Sequence, residues 1–270
     1  MSETSVVVIG VFDGVHKGHQ VLLNRAKEIA DGRNIVALTF DPHPTTVFAP
    51  DKAPTMLTTL ADRVELLKIH NADQVAVMKF NEKFAAMSPE DFVQTVLVNQ
   101  LHAGTVIVGK NFTYGHKAAG NVDSLIKSGL THNFTVDIQD LKTDEEVISS
   151  SRIRALVVEG KVEKARELLS RPHRLDGVVV HGEKRGREIG YPTANLGGWV
   201  DGHHQLQRST HLGYEHFVSS YHQPYQSKKS QKPIDRIQLE SNNLGNFDGA
   251  CLLSGRWLTH HLVWQSDPYQ

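Results

Sequence analysis

Residues 7–30 read VVIGVFDGVHKGHQVLLNRAKEIA. The apolar, β-branched run from Val6 to Ile9 stops abruptly at turn residues. That pattern predicts a strand buried on both faces of a parallel sheet. From His19 to Ala30, the apolar residues Leu22, Leu23, Ala26, Ile29 and Ala30 recur at helical spacing. Between strand and helix lie Gly10, Gly14 and Gly18, which let backbone approach a ligand closely, and two histidines three residues apart, His16 and His19. A helix beginning near Gly18 and His19 points its first N–H groups at whatever sits there, and an anion is the natural guest. Both imidazoles can face one site and donate to phosphate oxygens. Taken alone, the pair also reads as two metal ligands or as surface residues, although no cysteine stands nearby to complete a metal set.

Outward from this stretch, NIVALTF (34–40) predicts a second buried strand and closes a β-α-β unit. A helix is expected over 58–70 and a strand over 74–80. A further helix is expected over 88–100, with Ser88 as its cap and Pro89 at its first position, then a strand over 103–109. Alternating strands and helices predict a doubly wound α/β sheet with a ligand site at the carboxyl ends of its strands. Near residue 149 a new helix starts in SSSRIRALVVEGKVEKARELLSRP, with a break at Gly160. Beyond Pro172 the pattern turns strand-like and glycine-punctuated, which predicts a second, β-rich domain.

A helix terminus contributes only about 0.3–1 kcal/mol to holding an anion. Phosphoryl chemistry needs barriers lowered by about 8 kcal/mol or more. Further positive groups must therefore converge, and SSSRIR (149–154) offers Ser150 and Ser151 at a helix start, with Arg152 and Arg154 following. One arginine is expected to reach the phosphates and the other to face solvent. By itself this segment also reads as an ordinary capped helix.

The whole chain has 270 residues, 39% of them apolar, and 29 basic against 30 acidic residues. No general field draws it to nucleic acid or to a membrane, and neither partner is expected. The single cysteine, Cys251, excludes an intrachain disulfide framework and fits a reducing cytoplasm. MSETSVVVIG reads as no secretory leader, and no window approaches 18 consecutive apolar residues, so no membrane span is expected. Composition shifts near Gly197: residues 198–270 hold one alanine, Ala250, against sixteen in residues 1–197. They also hold seven of the 16 histidines and show no sustained period. This tail is not expected to fold as an ordinary half of a domain.

The motifs resemble a known family. GVFDGVHKGHQ looks like the HxGH signature of the nucleotidylyltransferase superfamily, and ISSSRIR (148–154) like its second signature. TFDPHP (39–44) and GKNFTYG (109–115) are similar to flavin-side motifs of the bacterial bifunctional FAD synthetases, which are riboflavin kinase/FMN adenylyltransferases. HGEKRGREIGYPTANL (181–196) resembles the start of their riboflavin kinase domain. The resemblance covers roughly residues 5–197 with its five motifs in order.

It implies a Rossmann-like nucleotidylyltransferase domain over 1–172, the start of a riboflavin kinase barrel over 173–197, and an atypical tail over 198–270. It further implies AMP transfer from ATP to FMN and phosphorylation of riboflavin, both with Mg²⁺ and ATP. His16, His19, Asn111 and Arg154 would carry the transfer. Gly10, Phe12, Asp13, Gly18, Ser150 and Ser151 would hold ATP; Pro42, His43, Pro44 and Asn111 would line the flavin side. Gly182, Lys184 and Gly186 would form the kinase nucleotide loop, with Thr193 and Asn195 on Mg²⁺. Phe112 and Tyr114 read as core rather than as stacking residues. After Leu196 the family's barrel should continue to a catalytic glutamate, but neither Glu215 nor Glu240 has the expected flanks, so the kinase activity is expected to be lost or severely weakened. The alternatives are another transferase of the same superfamily, or a non-catalytic protein that binds flavin or nucleotide. Nothing in the sequence fixes the oligomeric state.

Overall fold

The strand β1 (Ser5–Ile9) is buried at all five residues, as its unbroken apolar run predicts. The structure, a computed structural model, describes residues 4–140 and 148–174, and beyond them the backbone of six three-residue strands between Val178 and Val263. After β1 come α1 (Lys17–Ile29), β2 (Ile35–Asp41), the short α2 (Pro44–Phe48), α3 (Leu60–Ile69) and β3 (Gln74–Lys79). Then follow α4 (Glu82–Ala85), α5 (Pro89–Phe92), β4 (Ala103–Gly109), the small strands β5 (Thr113–Tyr114) and β6 (Gly120–Asn121), α6 (Val122–His132) and β7 (Thr135–Gln139).

Five strands form one parallel sheet in the order β3-β2-β1-β4-β7. Side chains alternate across each strand. Val7 and Ile9 enter one apolar cluster with Val36, Leu38, Phe92, Val96 and Leu125, while Val6 and Val8 enter another with Leu22, Leu23, Ala26 and Leu67. Helices therefore cover both faces, and the doubly wound expectation holds for this region. The chain runs from β1 outward through β2 and β3, then returns to place β4 on the other side of β1. Strand order reverses at the carboxyl end of β1, where open α/β sheets bind ligands.

The expected helix over 88–100 begins as read, with Ser88 Oγ accepting from the Asp91 N–H at 3.0 Å. After α5, however, Val93–Gln100 winds as a π-helix. The small β5–β6 hairpin, α6 and β7 were not anticipated.

The chain divides into two compact units, one of Met1–Pro54 with Leu60–Ser149, the other of Thr55–Thr59 with the chain from Ser150 onward. In the second unit, α7 (Ser150–Val158) and α8 (Val162–Leu169) are separated at Gly160, as expected; its φ of 71° lies in the left-handed region that glycine tolerates. Ile153, Leu156, Val157, Ala165 and Leu169 from these helices bury Leu57. The strands Val178–Val180 and Asn195–Gly197 pair antiparallel. Within the tail over 198–270 the described backbone pairs Gln238–Glu240 with His261–Val263 and Cys251–Leu253 with Arg256–Leu258, both antiparallel, and the rest of the expected barrel and tail lies outside the described residues.

Candidate active site

The turn after β1 is not built as its glycines suggest. Only Gly14 takes a positive φ, of 81°; the other left-handed residues are Phe12 (54°) and Val15 (38°). For a β-branched residue this is strain of about 1–3 kcal/mol. Complete burial of Phe12 and Val15 against Leu22, Leu23 and Ile107 offsets it. Gly10 and Gly18 serve a different purpose. A Cβ on Gly10 would meet the Phe12 ring at 3.0 Å, and one on Gly18 would meet the His16 ring at 3.2 Å.

The helix α1 starts at Lys17, within one or two residues of the expected start near Gly18 and His19, with His16 at the cap but offering no side-chain cap bond. Its first turn holds no acidic residue, unlike α5 with Glu90 and Asp91 and α6 with Asp123. The positive end of its dipole is therefore left for an external anion. His16 and His19 stack face to face, with centroids 3.7 Å apart and planes inclined by 16°, and Phe12 meets His19 edge-on at 5.2 Å. His16 is 3% exposed, which overturns the surface reading. Burial, and then the charge of His16, push His19 well below its ordinary value, so its neutral form is favoured. Its Nδ1 is buried and makes no hydrogen bond among the described residues.

Beside this turn lies an apolar cleft of about 280 Å³. Gly10 and Val11 form its floor, and Phe40, Phe80, Phe84, Phe92, Phe112 and Tyr114 line it. Neighbouring rings meet at 5.4–6.2 Å, mostly tilted or edge-on, whereas Phe112 and Tyr114 stack at 5.6 Å. Phe112 and Tyr114 thus belong to the core, as read, and also face the cleft. Pro44 lines the cleft and opens α2; Pro42 is exposed; His43 caps α2 by accepting from the Thr45 N–H at 3.2 Å. Asn111 is exposed in the turn after β4.

Sequence reasoning missed Arg63, on α3. It is 1% exposed and donates to the Val11 carbonyl at 3.1 Å and to Asp41 Oδ1 at 3.3 Å. Burial lowers its basicity, while Asp13 and Asp41 act in the opposite direction. Asp13 is itself 1% exposed.

In the second unit, Ser150 is the first residue of α7, whose first turn also lacks acidic residues. Ser151 is exposed, and Arg154 donates its Nε–H to the Thr55 carbonyl at 2.6 Å. Gly182, Lys184, Gly186 and Thr193 lie outside the described residues, as does the side chain of Asn195. Among the described residues, no group of three histidines, cysteines or carboxylates is placed to hold a metal ion, and no helix is long and apolar enough to cross a membrane.

Comparison with known proteins places the chain in a family. Residues 1–152 match the FAD synthetase family model, and residues 169–214, running past the alanine boundary at Gly197, match that for riboflavin kinase. The bifunctional riboflavin kinase/FMN adenylyltransferase of Buchnera aphidicola subsp. Schizaphis graminum is 38% identical over 73% of this chain and 64% of its own. That of Listeria monocytogenes is 41% identical over 71% of this chain and 62% of its own. The chain thus spans a little under two thirds of the length of these curated relatives. A solved structure from Streptococcus pneumoniae, named a macrolide-efflux protein, superposes with a TM-score of 0.66 at 28% identity, covering 92% of this chain and 77% of that one. The chain belongs to the FAD synthetase family.

Proposed function

We propose that residues 1–172 form an FMN adenylyltransferase domain that transfers AMP from ATP to FMN, releasing pyrophosphate. The observation that carries this reading is the joining, at one strand end, of an anion-ready helix terminus bearing two stacked histidines to an aromatic cleft. The cleft suits a flat aromatic ring system, and the turn suits phosphates. An FMN phosphate oxygen forms a bond to the α-phosphorus of ATP as the bond from that phosphorus to the bridging oxygen breaks, and pyrophosphate carries the electron pair away. The nucleophile is already anionic, so no covalent enzyme intermediate is required. Catalysis rests on positioning and on stabilising charge at the phosphates.

In this reading His16, His19 and the open N–H groups of α1 hold ATP phosphates, with Gly10, Phe12, Asp13 and Gly18 shaping the turn. Ser150, Ser151 and Arg154 act on the triphosphate, and Asn111 and the Pro42-His43-Pro44 segment act on the flavin side. His19, neutral in the free protein, becomes more easily protonated once phosphates approach. Mg²⁺ belongs to the substrate as the Mg–ATP complex. Residues 173–197 begin the riboflavin kinase domain, with residues 198–270 as its atypical continuation and the kinase activity lost or severely weakened. The single cysteine supports a cytoplasmic setting.

The test is chromatographic. The purified chain receives Mg–ATP with FMN in one reaction and with riboflavin in another. FAD from FMN is expected, and its absence would sink the adenylyltransferase reading. Formation of FMN from riboflavin at a normal enzymatic rate would overturn the weakened kinase.

A further inference from the structure

A stretch reading ADRVELL gives Arg63 the look of a solvated helix residue, yet its guanidinium is among the largest fully buried groups of the described chain. Burying a charge is costly, and a well-packed apolar side chain of similar volume often serves stability as well or better. Its partners suggest what the charge is for. Val11, whose carbonyl it holds, lies inside the strained turn, between Gly10 and left-handed Phe12. The Thr39 hydroxyl donates to the same carbonyl at 2.9 Å. Asp41 ends β2, immediately before Pro42 and the segment that enters the cleft wall. One planar fork therefore ties the phosphate turn to the flavin-side segment. It also sets a cation against Asp13 and Asp41, two carboxylates that would otherwise both repel an incoming triphosphate.

We propose that Arg63 is a positioning residue for adenylyl transfer: it fixes the distance between the phosphate turn and the flavin wall, and it neutralises the carboxylates beside the nucleotide. This inference rests on the adenylyltransferase reading. Lysine keeps the charge but cannot fork to two acceptors in a plane, so charge and geometry are separable.

The experiment uses the full chain and the variants Arg63→Met, Arg63→Lys and Arg63→Met with Asp41→Asn. Calorimetry with a non-hydrolysable ATP analogue reports nucleotide affinity, flavin fluorescence reports FMN affinity, and FAD formation gives kcat and KM. Arg63→Met is expected to weaken nucleotide binding by about tenfold or more, with a smaller effect on FMN. Adding Asp41→Asn should restore part of that affinity, and the loss should shrink at high salt. Arg63→Lys should keep most of the nucleotide affinity but lower kcat. Unchanged affinity in a folded Arg63→Met protein, or a loss that Asp41→Asn does not relieve, would reduce Arg63 to a structural role. Should Arg63→Met not fold, Arg63→Lys decides: kcat and both KM values at wild-type level would overturn the proposal. A wild-type chain that binds the analogue but makes no FAD would instead fail the adenylyltransferase reading, and the calorimetric comparison would still judge the charge effect of Arg63.

Discussion

The turn at residues 10–19 and the aromatic cleft beside it are built on opposite terms. The turn is strained and crowded. Phe12 and Val15 hold left-handed backbone, and the faces of His16 and of the Phe12 ring need a missing Cβ at Gly18 and Gly10. The cleft keeps its tight contacts at one edge, where a Cβ on Gly115 or Gly120 would meet Pro89 or the Tyr114 ring at 2.7 Å, while rings from five separate segments surround a space of about 280 Å³, mostly tilted against one another. A surface that must aim donors at phosphate oxygens demands position to a fraction of an ångström, whereas one that receives a flat apolar ring demands volume and dryness. Substitutions at the turn's Gly18 and its histidines should therefore alter nucleotide chemistry more than stability, and those in the cleft should alter stability and FMN affinity more than nucleotide affinity.

The widest separation is expected at Phe92, 3% exposed and meeting both Phe84 and Tyr114. Phe92→Ala should cost about 3–5 kcal/mol of folding stability in urea denaturation. Nucleotide affinity of the remaining folded protein should stay unchanged. Equal losses of stability and nucleotide affinity would erase the contrast. Gly18→Ala tests the other side. Its Cβ would press on the His16 ring at 3.2 Å, and a displaced imidazole should lower kcat/KM for ATP about tenfold, about 1.4 kcal/mol. The melting temperature should move little, and wild-type kinetics in this variant would show that the histidine stack is not position-critical.

These two sites also mark how far the sequence could be read. The buried strands β1, β2 and β4 announce themselves as nearly continuous apolar runs, and the histidine pair stands out beside its glycines. Phe80, Phe84 and Phe92 carry no motif, Phe40 is the unremarked second residue of TFDPHP, and only the fold gathers them into one wall. β7, as TVDIQ, alternates polar and apolar because it is an edge strand, so its signal is half as strong. Arg63 was invisible because nothing local distinguishes a buried arginine from a solvated one. The π-helical winding of Val93–Gln100 has no residue signature in a segment that suits an ordinary helix equally well.

The smallest effect concerns protonation. His19 binds its proton less readily in the folded chain than its ordinary value of 6.5 implies, because of burial and His16. The unfolded chain therefore holds more protons than the folded one as pH falls below about 6.5, and stability declines over that range. The stability is fully present above it. Urea midpoints at pH 7.5 and pH 5.5 should differ more for wild type than for His19→Gln. Equal differences would mean that the turn, despite its crowding, tolerates an imidazolium as easily as water does.

The short insertion Thr55–Thr59 has a consequence in time rather than in space. Thr55 accepts from Arg154 across 99 residues of chain, and Leu57 shares its buried cluster with residues from Ile153 onward. At ribosomal speeds of about 5–20 residues per second, Leu57 waits roughly 5–20 seconds for the first of them. During that interval a greasy side chain is held open on a nascent polypeptide whose first sheet is already being completed. A chain cut at residue 149 would leave Leu57 without these partners for good, so a side chain made early is buried by helices made late.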